Sequence, residues 1–268
     1  MLVTSRADQA EPSEFQVGDL LREARRQLGT PVGTVPPVAI LDPDGDLAAY
    51  LLRTGQGQPS GSWACYHTRL VEAEVGGIWL GVVPYAVGAP FAVLVAEELI
   101  ASGAELVLSV TSAGQLNPAL ASPCFVVIER ALRGDGTSHC YLPPGETVDA
   151  PTALSGRAVA ALRKAGEPVV AGTVWTTDAP FRETATAMAA AQAAGAIAVE
   201  MEAAGLYAFA QATGSAVLCV AQITNQLAQV AGDFEKGPES GAVDALRILT
   251  TIAAALGGGE HPEVTPGG

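Results

Sequence analysis

Between residues 38 and 256 the chain alternates short apolar runs with helix-length segments, most of them stopped by glycine. "PVAIL" reads as a buried strand and "DLAAYLLR" follows at helical spacing. "GGIWLGVVPYAVG" reads as one or two strands, and "APFAVLVAEELIASG" as a helix with Pro90 in its first turn and Gly103 at its end. The pattern repeats. "AELVLSV", "CFVVIERAL", "PVVAGTVWTT", "AIAVEM" and "SAVLCVAQITN" read as strands. "SGRAVAALRKAG", "RETATAMAAAQAAG", "EAAGLYAFAQATG" and "GAVDALRILTTIAAAL" read as helices. Strands alternating with helices of ten to fifteen residues predict an α/β fold. The expected architecture is a three-layer α/β/α sandwich around a mixed, mostly parallel twisted sheet. Residues 1–35 are expected as a partly flexible N-terminal extension carrying one short helix, 36–256 as the main α/β domain and 257–268 as a flexible tail.

Hydrophobic residues make up 49% of the 268, enough for a large core. No apolar run reaches the length that a membrane helix needs, and the polar N-terminus does not read as a signal peptide. A cytoplasmic protein with no membrane partner is expected. The net charge of −14 argues against nucleic acid, whose backbone is held by Lys and Arg. Cys65, Cys124, Cys140 and Cys219 form no CxxC pair and stand at no metal-ligand spacing from the histidines. They read as small core hydrophobes, and neither a metal nor a cofactor is expected. "GQGQPSG" has glycines but lacks the strand-to-helix context of a dinucleotide or phosphate loop. No serine-hydrolase elbow occurs.

In α/β sheets ligands bind outside the carboxyl ends of strands. Two such places stand out. "SVTSAGQL" ends a strand in hydroxyls and glycine, and free N–H groups at such a turn can cradle an anion or a water, or form an ordinary capped turn. "AVEMEAAGLY" puts Glu200 and Glu202 in an apolar stretch, where an unpaired carboxylate costs several kcal/mol. Two alternatives stand equal. In one, Glu202 caps the following helix and Glu200 is solvated. In the other, Glu202 accepts hydrogen bonds from a polyol ligand above Met201.

"VEMEAAGLYAFA" resembles the signature of the nucleoside phosphorylase superfamily, which includes purine nucleoside and uridine phosphorylases and nucleosidases. "GAPFAVLVAEELIASGA", "SVTSAGQLNP", "DGTSHCYLPP" and "TTDAPFRETA" resemble further segments in the same order, and "QITNQL" is similar to a segment of trimeric purine nucleoside phosphorylases. The resemblance implies an enzyme that cleaves the N-glycosidic bond of a nucleoside, a purine slightly favoured, with phosphate as co-substrate. It implies a homodimer or dimer-based oligomer. Glu202, Met201 and His67 would hold the ribose. Phe181, Arg182, Glu183 and Asn225 would contact the base, Asn225 assisting its departure. Thr111, Ser112 and Arg69 would flank the acceptor, with His67 and Arg69 reaching a neighbouring subunit's site.

The chain departs from the family's pattern at the phosphate. The usual arginine loop is "LDPDGDLAAY", and Ser109 stands where a second arginine is usual. A phosphate there meets like charge, at about 4 kcal/mol for a unit pair about 4 Å apart in an effective dielectric near 20. Asp44 would then serve as general base on water, making the protein a hydrolytic nucleosidase. A solvated Asp-Pro-Asp-Gly turn and a non-catalytic nucleoside-binding protein are the remaining alternatives.

Overall fold

The computed structural model describes residues 9, 11–120, 123–225 and 234–257. The strands are β1 (Val38–Asp42), β2 (Gly57–Pro59), β3 (Val71–Val75), β4 (Ile78–Pro84), β5 (Leu106–Gln115), β6 (Cys124–Gly134), β7 (Thr147–Asp149), β8 (Val169–Thr177), β9 (Ala196–Glu200) and β10 (Val217–Asn225). The helices are α1 (Val17–Leu28), α2 (Asp46–Arg53), α3 (Ala89–Ala101), α4 (Ser138–Tyr141), α5 (Thr152–Lys164), α6 (Ala185–Ala193), α7 (Ala203–Thr213) and α8 (Ala242–Leu256).

The alternation expected from the sequence is present, because β1 and β10 are buried along their whole length and α2, α3, α5 and α7 pack small and aliphatic residues against the sheet. One set of helices, α1, α3, α4 and α7, packs together, and α2, α5 and α8 form a second set. The sheet between them is mixed. Parallel pairings run through its middle, β4–β1–β5–β10 and β6–β8–β9. Antiparallel pairings, β2–β3, β3–β4, β6–β7, β6–β10 and β5–β9, lie at its edge and at its seams. The parallel share is therefore smaller than the alternation alone implies.

One half of the sheet closes on itself. β5 pairs with β10, β10 with β6, β6 with β8, β8 with β9, and β9 returns to β5. Gly114 is the hinge of this closure, since it pairs with Val199 of β9 on one side and Asn225 of β10 on the other. The register of β10 shifts between Ile223 and Asn225 at this point. A bulge of this kind re-aims a side chain at a sheet rim.

The N-terminal helix lies against the body of the fold: Leu21 and Ala24 are buried with Ala64, and α1 packs on α3. The tail expected from residue 257 lies, apart from Gly257, outside the described residues. Cys65 and Cys219 are buried and Cys124 is half-buried, whereas Cys140, read as core, is exposed on α4. Among the described residues no helix is long and apolar enough to cross a membrane.

Candidate active site

The ends of β1, β5, β9 and β10 converge because these strands are neighbours in the sheet and β9 turns back onto β5. They bring together Asp42 and the loop after it, Thr111 and Ser112, Glu200 to Glu202, and Asn225.

At the β9 end the two glutamates have different work. Glu200 is buried, and its Oε2 accepts the backbone N–H groups of Glu202 at 2.7 Å and Ala203 at 2.8 Å. Thr176 of β8 donates its hydroxyl to Glu200 Oε1 and accepts the N–H of Ala204 at 2.9 Å. Three amides at the start of α7 are thus satisfied by Glu200 and Thr176, groups such a terminus must otherwise leave to water. Glu202 occupies the N-cap position without capping through its own side chain. The solvated Glu200 and capping Glu202 of the first alternative are therefore reversed.

Glu202 is freed for something else. Its Oε1 accepts the N–H of Gly88 at 2.7 Å. Its Oε2 is buried and has no hydrogen-bond partner among the described residues. Two glycines make this possible. Gly88 has φ +83°, a conformation L side chains rarely adopt. Gly205 lets α7 approach α3 so closely that a Cβ there would stand 2.7 Å from the Ala89 side chain. Burial raises the pKa of Glu202, the Gly88 amide and the neighbouring Thr111 hydroxyl oppose the rise, and the charge of Asp44 adds to it. Burial and then the charge of Glu202 raise Glu200 in the same direction, against its hydrogen bonds. Two buried carboxylates this close resist carrying charge together. Met201, between them, is half-buried.

At the β1 end Asp42 is buried and accepts the N–H groups of Gly45 at 3.1 Å and Ala48 at 2.9 Å, so it builds the entrance to α2. Burial raises its pKa to about 6, with Asp44 and Asp46 adding to the effect. Asp44 Oδ2 accepts the N–H of Ser112 at 3.1 Å and also its hydroxyl. Lys236, which follows β10, places Nζ 3.3 Å from that oxygen and 2.6 Å from Asp46 Oδ2. Asp44 is thus neither a bare solvated turn nor free. Tyr85, just beyond β4, has φ +64° and donates its N–H to the Asp42 carbonyl at 2.9 Å. A non-glycine residue held there is strained backbone of the sort that gathers at functional sites.

Asn225 is buried at the β10 bulge, and its Nδ2 donates to Thr224 Oγ1 at 3.1 Å. The base-side segment lies beyond β8. Phe181 is 99% exposed, Arg182 is exposed, and Glu183 is half-buried, which raises its pKa. Asp178 accepts the N–H of Gly136 at 2.8 Å, tying this loop to the "DGTS" segment. Within that segment Asp135 accepts the N–H and hydroxyl of Ser138, both at 2.7 Å, so its acid builds the start of α4.

His67 packs edge-on to Phe91, with ring centroids 6.3 Å apart. With Arg69, Trp63, Tyr85 and Phe91 it lines a cleft of about 620 Å³ beside the start of α3. Among the described residues no hydrogen bond or ion pair links His67 or Arg69 to Glu202, Asp44 or Ser112. Gly88, Lys236 and Tyr85 are the residues that sequence reading missed, and Thr176, a polar residue at a strand end and the first of "TTDAPFRETA", was given no role. Gly88 and Tyr85 stood within quoted segments, while Lys236 carries no local signal.

A partly closed mixed sheet between two sets of helices, with buried carboxylates at one rim, defines an α/β protein. The phosphorylase superfamily model matches residues 37–254, and the chain belongs to that superfamily. The fold is shared with the purine nucleoside phosphorylase of Toxoplasma gondii, solved in complex with immucillin-H. That structure is 18% identical, covers 83% of this chain and 90% of its own, and gives a TM-score of 0.69. It is shared equally with the uridine phosphorylase of Vibrio fischeri ES114, at 21% identity, 82% and 93% coverage and a TM-score of 0.69. A search of curated protein sequences finds no relative.

Proposed function

We propose that this protein cleaves the N-glycosidic bond of a nucleoside in the cleft between Glu202, Asn225 and Ser112. The observation that carries the reading is the buried, unpartnered Oε2 of Glu202. A carboxylate oxygen out of water with nothing to accept costs free energy. A vicinal diol supplies the missing donors, and ribose carries one. Met201 forms the apolar surface beside the sugar. Holding the sugar by a carboxylate favours the oxocarbenium-like transition state of glycosidic cleavage. Asn225, on the other side of Gly114, faces the base and stabilises charge as it leaves. This arrangement favours a 6-oxopurine nucleoside. Phe181, Arg182 and Glu183 close over the base from the β8 side, and His67 and Arg69 act across a dimer.

The superfamily's name points to phosphate as acceptor. A second reading, hydrolysis, is favoured by a specific observation: Ser112, the acceptor-side donor, is engaged by the Asp44 carboxylate. The experiment is a panel of inosine, guanosine, adenosine, uridine and methylthioadenosine, each incubated with and without phosphate, with base and sugar products quantified. Base release from a purine nucleoside is expected. Absence of base release from every nucleoside in both buffers would leave a binding protein and overturn the enzymatic reading.

A further inference from the structure

Three donors meet on one oxygen at the β5 rim. The Ser112 N–H and the Ser112 hydroxyl both donate to Asp44 Oδ2, and Lys236 Nζ stands 3.3 Å away. An amide, a hydroxyl and an ammonium aimed at one point are the donor set that holds an oxyanion. Here the oxyanion is part of the chain. We propose that the Asp44 carboxylate is a built-in occupant of the anion subsite, excluding phosphate and leaving water as the acceptor. This rests on the nucleoside-cleaving reading above and deepens it by fixing the acceptor.

Four features support it. The ammonium is already shared, because Lys236 also contacts Asp46 at 2.6 Å. Asp42, Asp44 and Asp46 all line the gap there, and among the described residues no arginine does. A phosphate dianion arriving at that place meets more negative than positive charge. The gap itself, between these aspartates and Thr111 and Gly241, measures about 10 Å³. That is the space of a single water.

Finally, Lys236 is fastened in place. Gln222 donates to the Lys236 carbonyl at 2.9 Å, the Glu235 N–H donates to the Thr224 carbonyl at 2.9 Å, and Glu239 pairs with Arg53. Glu239 and Ser240 hold φ +54° in the turn that follows. The segment bearing the lysine is thus tied across the aspartate loop at several points, against local backbone strain.

With water as acceptor the step balances simply. The water oxygen bonds C1′ as the C1′–N bond breaks with its electron pair on the base. One water proton passes to Asp44 and is returned to solvent, and the base takes up a proton. The products are free ribose and free base.

The test is a titration of the full chain with inorganic phosphate, followed by phosphorus NMR and calorimetry, on wild type, Asp44→Ala, Asp44→Asn and the double variant Asp44→Ala with Lys236→Ala. Circular dichroism confirms that each is folded, and the near-isosteric Asp44→Asn covers the case in which Asp44→Ala fails to fold. Removing the resident anion is expected to tighten phosphate binding by at least about tenfold, since a like charge is lost at contact distance. The double variant is expected to lose that gain. Ribose is the expected wild-type sugar product, with ribose 1-phosphate appearing in the Asp44 variants. Phosphate binding to wild type as tight as to the Asp44 variants, or to none of the folded variants, overturns the proposal. Because the titration needs no nucleoside, a failure to cleave any nucleoside counts against the enzymatic reading alone.

Discussion

The rim of the sheet carries two carboxylate groups, and they are completed in opposite ways. At the β1 end, Asp42 is matched by two amides, and Asp44 and Asp46 by a serine and a lysine. At the β9 end, Glu200 is matched by two amides and a hydroxyl, while Glu202 keeps one buried oxygen with no partner. Native proteins rarely leave such an atom unmatched. The difference separates carboxylates that build the cleft from the one that waits for something to enter it. On the readings proposed above, it also separates an anion site the chain fills for itself from an acceptor site for hydroxyls that it leaves open.

The largest effect expected is on catalysis. Glu202→Ala removes the proposed acceptor of two ribose hydroxyls, each charge-assisted bond contributing about 1.5–3 kcal/mol. A loss of roughly 10³-fold in kcat/KM, about 4 kcal/mol, is expected. Stability measured by urea unfolding should fall by no more than about 1–3 kcal/mol, the cost of leaving the Gly88 N–H without its acceptor, and deleting the unmatched oxygen offsets part of it. Retained turnover would erase the distinction between the two carboxylate groups.

Glu200→Ala tests the other half of the pair. It strips acceptors from the Glu202 and Ala203 amides and from Thr176, each donor left buried costing about 1–3 kcal/mol. A stability loss of about 3 kcal/mol is expected in urea unfolding. Glu200→Gln should recover much of it by keeping an acceptor oxygen. A loss of activity with unchanged stability would instead make Glu200 a partner in the chemistry.

The pH dependence of stability comes next. The pKa of Asp42 is raised to about 6 in the folded protein, with burial as the main cause. The folded state therefore binds the proton more tightly than the unfolded chain. This stabilisation is fully present below the unfolded value near 4, declines as pH rises towards 6, and is gone above it. At roughly 1.4 kcal/mol per unit, the contribution is at most about 3 kcal/mol. Asp42→Asn should flatten that part of the stability curve between pH 4 and pH 6. Glu200 and Glu202 are shifted the same way and extend the decline towards higher pH. An unchanged slope in Asp42→Asn would mean that its two amides, not its burial, dominate.

What the sequence made legible follows from how local each feature is. The core strands and long helices are visible because periodicity and terminal glycines are written within each segment. β2, β3, β7 and α4 were not assigned. Three of them span only three or four residues, too short to show a period, and all depend on partners elsewhere. The closure of β5, β10, β6, β8 and β9 rests on Gly114 pairing with two strands, which no window of sequence contains. At the β9 rim, the placement of Glu202 and Met201 was legible from one compact motif. The role of Glu200 was not, since Thr176 lies 24 residues away. Lys236 was wholly hidden. It sits in a loop-like "FEKGPES" and meets Asp46 across a separation of 190 residues.

The smallest effect sharpens the comparison from outside the carboxylates. Phe181 is 99% exposed, so Phe181→Ala removes no packing and should change stability by less than about 0.5 kcal/mol. On the base-side role proposed for Phe181 the exposed ring has another use: a flat base stacked on it contributes about 1–3 kcal/mol. The variant should raise KM about tenfold with kcat little changed, because stacking made equally in the ground and transition states is uniform binding. Phe181→Trp should restore most of the affinity through its own π-face. A kcat loss in Phe181→Ala with unchanged KM would place this ring in the closure that assembles the site. Unchanged kinetics in both variants would leave Phe181 a solvent-facing residue, and base recognition would rest on Asn225, Arg182 and Glu183 alone.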